Sequence, residues 1–487
     1  MVAVLLILIP LVTGLILFAL KGESLPKNLS LLSSVLTLVV SILGLTVMND
    51  VTYTTANMEW MPAIRSNFHV ELDAMGQLLC LLTAISFPLI FISTYKNIYR
   101  NASRFYAFML LAQAGLMGVF LAKDALLFYF FWELALIPAY FLCSIWGGER
   151  RIPVTFKFFI YTFVGSLVML IGLIYLYFQA HQSFSINAFY AIRLDAPTQS
   201  WVFWMLFIAF AIKMPIFPFH TWQPDTYEQS PTAVTMVLSG IMVKMGLFGL
   251  IRWVVPVVPE GAWAWGDTVS GLAVTGMIYA SIIAIRQDDL KRFVAYSSIA
   301  HMGLMALALF ATTKSGMQGL LIQMFNHGIN IIGLWIVVNA IEQKFNTRKM
   351  SELGGIAQRA PGLAILLVIV ALANIALPLT NSFVGEFMMF NGVFASTVTK
   401  YNVVLTVLAG LTIILSAVYT LNMLQKVLFG NTNNLTNIST DISFKTKLAL
   451  GVIVMLIFVT GVFPKPMITM TNDFSETILN MMTRKNP

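Results

Sequence analysis

Apolar blocks of about 20 residues recur along the whole chain, and each is long enough to cross roughly 30 Å of hydrocarbon. The first reads MVAVLLILIPLVTGLILFAL, and about fourteen can be counted in all. In a bilayer no water reaches the backbone N–H and C=O groups, so each crossing segment must close its own hydrogen bonds as a helix. Composition agrees: the 487 residues are 58% hydrophobic and 10% charged, with a mean hydropathy of +0.83. A soluble domain is about 25% charged. The opening block has no basic segment before it and no small-residue cleavage site, so it is read as a first membrane helix. The expected fold class is an all-α integral membrane protein of about fourteen transmembrane helices.

A net charge of +8 raises the thought of nucleic acid, but the positions of the charges argue against it. With the N-terminus placed outside, 18 of the 29 Lys and Arg residues fall in inside loops and 9 in outside loops. The outside set is Arg65, Lys123, Arg193, Arg252, Lys314, Lys400, Lys465, Arg484 and Lys485; Lys213 and Lys244 lie within membrane segments. Such an asymmetry is the positive-inside pattern of a multi-pass protein, with both termini outside. Cys80 and Cys143, far apart and in apolar segments, read as packing residues. Two cysteines cannot hold a four-cysteine iron–sulfur cluster, and no C-x-x-C-H, G-x-G-x-x-G or Walker A sequence is present. No His, Cys or carboxylate pair has metal-ligand spacing, and Asp225 and Glu228 in PDTYEQSPT read as a polar turn. Redox or nucleotide chemistry, if it drives this protein, belongs to another chain.

The polar breaks are short, the largest being 49–72, 179–200, 342–361 and 430–446. Two apolar segments are interrupted by proline: 201–222 at Pro215 and Pro218, and 361–392 at Pro378 within NIALPLTNSFVGEF. Their placement suggests two inverted five-helix repeats, 104–255 and 270–425. Residues 1–103 precede them as N-terminal helices, and 426–487 follow as a C-terminal helix and tail. A proline inside a membrane helix frees carbonyls that need new partners, so broken helices line hydrated cavities near the midplane.

Four ionisable residues sit deep in apolar segments: Glu133 in LLFYFFWELALIPAYFLC, Lys213 in AFAIKMPIFPFHTW, Lys244 in GIMVKMGLFGLIRW and Glu386 in SFVGEFMMF. Each costs on the order of 3 kcal/mol at a helix centre. The bland account is helix stapling by buried pairs, or snorkelling of long side chains. The functional account is a proton relay, because burial lowers a lysine's affinity for its proton while a nearby carboxylate restores it. Glu133 and Lys213 are then the control pair, Lys244 the link to the second half, and Glu386 the terminal acid. His301 in YSSIAHMGLM and His327 in QMFNHGINIIGLW can extend the relay. His220, beside the first break, is either a relay member or a cap on loose carbonyls. His69 and His181 fall in outside loops and are assigned no chemistry.

The stretches FFWELALIPAYFL, AIKMPIFPFHTWQPDTYEQSPTA, GIMVKMGLFGLIR, DDLKRFVAYSSIAHMG, QMFNHGINIIGLW and NSFVGEFMMF resemble, in the same order, the proton-pumping antiporter-like subunits of respiratory complex I, NADH:quinone oxidoreductase. The resemblance covers about residues 70 to 430 and is nearest the M type, whose mitochondrial counterpart is subunit 4. It implies relay roles for Glu133, Lys213, Lys244, His301, His327 and Glu386, with His220 following Lys213. It implies partners too: the antiporter-like subunits L and N, the small subunits J and K, and through them the NADH-oxidising peripheral arm. FMN, iron–sulfur clusters and quinone would sit on those partners, with no cofactor in this chain. A bacterial inner membrane is the implied location. Glu386 separates the M type from the L and N types and from sodium/proton antiporter D subunits, which typically carry lysine there. The chain departs from the family's WLPDAH at Gln223, Thr226 and Tyr227, from PGT at Leu379, and from a small hydroxyl residue at Asn330. Three other functions remain open on sequence alone: a sodium/proton antiporter subunit, a membrane subunit of an energy-converting hydrogenase, and a scaffold whose charges only join helices.

Overall fold

The computed structural model describes residues 1–48, 50–437 and 441–483. Arg484 and Lys485, counted above on the outer side, lie outside the described residues. The protein is a multi-pass membrane bundle. Among the described residues twelve helices are long and apolar enough to cross a bilayer, and two interrupted helices bring the crossings to the fourteen expected. In chain order the helices are α1 (Val2–Ala19), α2 (Ser24–Thr46), α3 (Ala74–Ser93), α4 (Ala102–Leu121), α5 (Ala125–Trp146) and α6 (Arg151–Gln179). The first interrupted helix follows as α7 (Ala196–Lys213) and α8 (Trp222–Gln229). Next come α9 (Thr232–Val254), α10 (Pro259–Arg286), α11 (Leu290–Phe310) and α12 (Lys314–Phe345). The second interrupted helix is α13 (Pro361–Asn374) and α14 (Asn381–Phe394). Last are α15 (Asn402–Leu428), α16 (Phe444–Val462) and α17 (Lys465–Met482).

Between α2 and α3 lies an element not anticipated from sequence, an antiparallel hairpin of β1 (Thr55–Met61) and β2 (Ser66–Glu71) in the register Ala56↔Val70. It marks one face of the bundle, where Val70 bridges to Ala122 at the end of α4 and Arg252 at the end of α9 reaches Asp73. The run α4 to α9 therefore ends on the hairpin face, and the run from α10 starts there. Each run comprises five crossings with the interrupted helix fourth, and the two traverse the membrane in opposite senses.

Burial sorts the helices by depth. The apolar spans of α9 and α12 are wholly buried, while only about a third of the spans of α16 and α2 is buried. Those outer helices expose Leu36, Val39, Met455 and Val459, as lipid-facing positions should. The tail α17 is a surface helix. It packs on α3, α10 and α12 and buries Thr471, Ser475, Ile478 and Met482 along one stripe.

Candidate proton-relay site

The first break begins where Pro215 and Pro218 cannot continue the helical ladder. The chain turns through Met214–Thr221, and the carbonyl of Ile212 accepts a hydrogen bond from the Trp222 indole at 3.0 Å. Lys213 occupies the last turn of α7, at the carbonyl end of a half-helix, where the dipole favours a cation. It is 1% exposed. Its Nζ lies 5.5 Å from the centre of the Trp132 ring, which supplies a cation–π contact. Glu133, next to that tryptophan on α5, is half-buried. Neither Lys213 Nζ nor Glu133 Oε1 has a hydrogen-bond partner among the described residues. The structure thus places the two on neighbouring segments without joining them.

Lys244 lies between two π-helical turns of α9, Leu238–Met242 and Leu250–Val254. π-turns widen a helix and recur at functional sites. Here the Ser239 carbonyl accepts a bond from Lys244 Nζ at 3.2 Å. The same Nζ is 2.7 Å from His327 Nδ1 on α12. His327 Nε2 is 3.2 Å from the Ser298 hydroxyl on α11. One turn along α11, the His301 ring stands 5.4 Å from the His327 ring, centre to centre. His301 Nδ1 is 3.2 Å from Glu386 Oε1 on α14, and the Gln323 amide donates to the same oxygen at 3.3 Å. Lys244, His327, His301 and Glu386, from four helices, so form one continuous line through the interior of the bundle. A small cleft lined by His301, Glu386, Thr412, Ser416 and Tyr419 adjoins its far end.

The two lysines are linked through backbone rather than side chains. A Cβ on Gly246 would come within 2.5 Å of the Phe210 carbonyl and 2.9 Å of the Met214 nitrogen. Helix α9 therefore rests directly on the end of α7. His220 is buried beside Phe217 and Tyr279, with ring centres 5.7 and 5.2 Å away, and so packs against α10.

The second break runs from Ile375 to Thr380. Asn330 on α12 donates to the Ala373 carbonyl, Asn381 Oδ1 and the Ser382 hydroxyl at 3.3, 2.9 and 2.8 Å. The Asn326 amide donates to the Asn381 carbonyl at 2.7 Å. Asparagine at 330, a departure from the usual hydroxyl residue, binds the two halves of the broken helix together. Leu379, the other departure, takes φ 74°, a left-handed conformation that glycine adopts freely.

Two charge clusters escaped the sequence reading. On the hairpin face Asp73 pairs with Arg252 at 2.5 Å and Lys123 at 2.9 Å. Burial alone would raise the Asp73 carboxyl, but Arg252 and Lys123 hold it well below the usual carboxylate range. On the opposite face Asp225 pairs with Lys157 and Arg292 at 2.9 and 3.0 Å. Glu228 pairs there with Arg292 and Arg150 at 2.9 and 3.0 Å, and Lys291 with Glu342 at 3.1 Å. The supposed polar turn is a helix, α8, tied to α6 and α11. An open cavity of about 740 Å³ borders this network, lined in part by Trp146, Arg150, Glu228, Lys291, Glu342 and Arg348. Among the described residues no three His, Cys, Asp or Glu side chains converge as metal ligands.

Residues 122–416 match the family described as NADH:quinone oxidoreductase/Mrp antiporter, TM. NADH-quinone oxidoreductase subunit M of Rickettsia typhi is 33% identical, covering 98% of both chains. The subunit of the same name from Escherichia coli (strain K12) is 32% identical over 99% of both. F(420)H(2) dehydrogenase subunit M of Methanosarcina mazei is 33% identical over 99% of this chain and 98% of its own. Among solved structures, a chain of respiratory complex I from Thermus thermophilus with bound NADH superposes with a TM-score of 0.92 at 28% identity, covering 99% of this chain and 100% of that one. A chain of the Mrp complex from Dietzia sp. DQ12-45-1b shares the fold, with a TM-score of 0.87 at 15% identity. This chain belongs to the membrane-subunit family of NADH:quinone oxidoreductases and Mrp antiporters, among the relatives named subunit M.

Proposed function

We propose that this chain is the proton-translocating M subunit of a respiratory NADH:quinone oxidoreductase, complex I. The observation that carries this reading is the line Lys244–His327–His301–Glu386. A hydrogen bond of 2.7 Å joins Lys244 to His327 and an ion-pair contact of 3.2 Å joins His301 to Glu386, and groups that bind and release protons stand at every step. A scaffold needs no such line, because separate pairs would staple helices equally well.

Lys213, braced on Trp132 and near Glu133, is the loading site. A shift of Glu133 towards or away from Lys213 changes how tightly the lysine holds its proton. The proton then reaches Lys244 and passes through the histidines to Glu386 and out. His220 positions the first break. FMN, iron–sulfur clusters and quinone sit on partner chains, which include subunits L, N, J and K and the peripheral arm. The membrane is a bacterial inner membrane with both termini on the periplasmic side, since basic residues concentrate on the face opposite the hairpin. The two five-helix runs, α4 to α9 and α10 to α15, are inverted repeats carrying the two halves of one path, with bounds a little wider than the 104–255 and 270–425 expected from sequence.

The test is Glu386→Gln in the assembled complex, reconstituted in vesicles and followed by a pH-sensitive dye during NADH oxidation. Fewer protons moved per NADH, with NADH oxidation by a soluble artificial acceptor unchanged, is the expected outcome. An unchanged ratio would remove Glu386 from the path.

A further inference from the structure

On the face opposite the hairpin, the ends of α3, α12 and α16 meet around a pocket of about 190 Å³ that plays no part in the relay. Three lysines line it, one from each strut: Lys96 just beyond α3, Lys344 in the last turn of α12, and Lys445 in the first turn of α16. None has a carboxylate within 4 Å among the described residues; Lys445 instead lies 3.3 Å from the centre of the Tyr95 ring. The one acid in the lining, Asp441, is already engaged. It pairs with Lys447 at 2.7 Å and accepts the backbone N–H groups of Gly362, Leu363 and Ile442. Among the described residues the pocket thus holds three lysines without an ion-pair partner against one carboxylate, Asp441, which Lys447 already pairs.

The rest of the lining has the character of a boundary. Asn339, Gln343, Ser443 and Thr446 offer polar groups, while Ile92, Ala340 and Ile442 are apolar. Beside it Phe444 and Leu448 project outward, 78% and 48% exposed, on an outer membrane helix. A small soluble anion would use the lysines and leave the apolar side idle. A lipid uses both, placing its phosphate among the lysines and its glycerol and upper acyl chain along α16. Basic pockets between transmembrane helices on the positively charged side suit anionic head groups. We propose that this pocket binds the phosphate of an anionic phospholipid, bracing the end of α12, the helix that carries His327.

The test uses the assembled complex in detergent, with phosphatidylglycerol, phosphatidylcholine or inorganic phosphate added. Thermal unfolding and native mass spectrometry of the released subunit are read for wild type and for Lys96→Gln/Lys344→Gln/Lys445→Gln. Each lysine near a charged lipid surface is worth about fivefold in binding, so the triple variant should bind phosphatidylglycerol on the order of a hundredfold more weakly. Wild type should retain the lipid and gain in unfolding temperature, the triple variant should do neither, and phosphatidylcholine should not separate the two. Lys426→Gln, an exposed lysine in the last turn of α15 and outside the pocket lining, serves as the single-charge control and should behave as wild type. If the triple variant does not assemble, Lys445→Gln alone, on an exposed side chain, should still show about fivefold weaker retention. Equal retention in wild type and variant overturns the proposal, and so does equal protection by inorganic phosphate, which would reassign the pocket to a soluble anion.

Discussion

His327 is the narrowest point of the relay, and His327→Leu is its sharpest test. The imidazole uses both nitrogens, Nδ1 at 2.7 Å from Lys244 and Nε2 at 3.2 Å from Ser298. Leucine fills similar volume but offers neither contact. Lys244, fully buried, keeps only the Ser239 carbonyl at 3.2 Å. Each orphaned polar group costs about 1–3 kcal/mol, which the central bundle should survive. Transfer suffers more. The two ring nitrogens span the gap from Lys244 towards His301, and a proton must otherwise jump beyond the reach of a single hydrogen bond. Losing a positioned acid–base group slows transfer by about 10²–10⁴-fold. In vesicles driven by NADH, protons moved per NADH should fall, while NADH oxidation by a soluble acceptor stays at the wild-type rate. His327→Gln separates the two roles, since it hydrogen-bonds but does not titrate. It should restore the unfolding temperature and leave pumping impaired. Full pumping in His327→Leu with the subunit assembled would refute the relay order; pumping restored by glutamine would make His327 a structural brace.

Two further outcomes follow from particular contacts. Asp73→Asn strips Arg252, 3% exposed, of its carboxylate, and breaking a buried pair this way costs about 3–5 kcal/mol. Because the Asp73 carboxyl is depressed in the folded state, its stabilisation is complete above the ordinary carboxylate range near pH 4 and is lost only as pH falls through the depressed value. The gap in unfolding temperature between wild type and Asp73→Asn should therefore be constant from neutral to alkaline pH; a gap widening with acid would contradict the pairing. At the second break, Leu379 is 68% exposed at φ 74°, a conformation costing about 1–2 kcal/mol without glycine. Leu379→Gly should stabilise by up to about 1 kcal/mol after the looser unfolded chain takes its share, whereas Leu379→Ala should not; equal unfolding temperatures would show that the left-handed turn is not strained.

The sequence made some of this plain for a physical reason. A charge in a twenty-residue apolar run is conspicuous because hydrocarbon penalises it, so Glu133, Lys213, Lys244 and Glu386 stand out singly. The prolines likewise announce both breaks. Which groups meet is another matter. Lys244 and His327 are 83 positions apart, and His301 and Glu386 lie on helices whose approach is decided by packing. Glu133 and Lys213, the pair that charge type suggests first, stand near each other but unbridged. Arg252 counts as a loop residue in a tally of charges, yet Asp73 draws it under the hairpin face. Asp225 and Glu228 look like turn residues because their partners, Lys157 and Arg292, come from remote helices. The hairpin at 55–71 hides in a polar stretch too short to show a period against fourteen crossings.

The absence of a side chain at position 246 has a mechanical meaning. Where helices meet through leucines and phenylalanines, a small displacement can be absorbed as those side chains change rotamer. At Gly246 there is nothing to yield, because the backbone of α9 bears on the backbone at the end of α7. The contact lies two residues from Lys244 and one from Lys213. It works as a hard stop between the two lysines: movement of the broken end of α7 cannot leave α9 where it was, even though no side chain joins them.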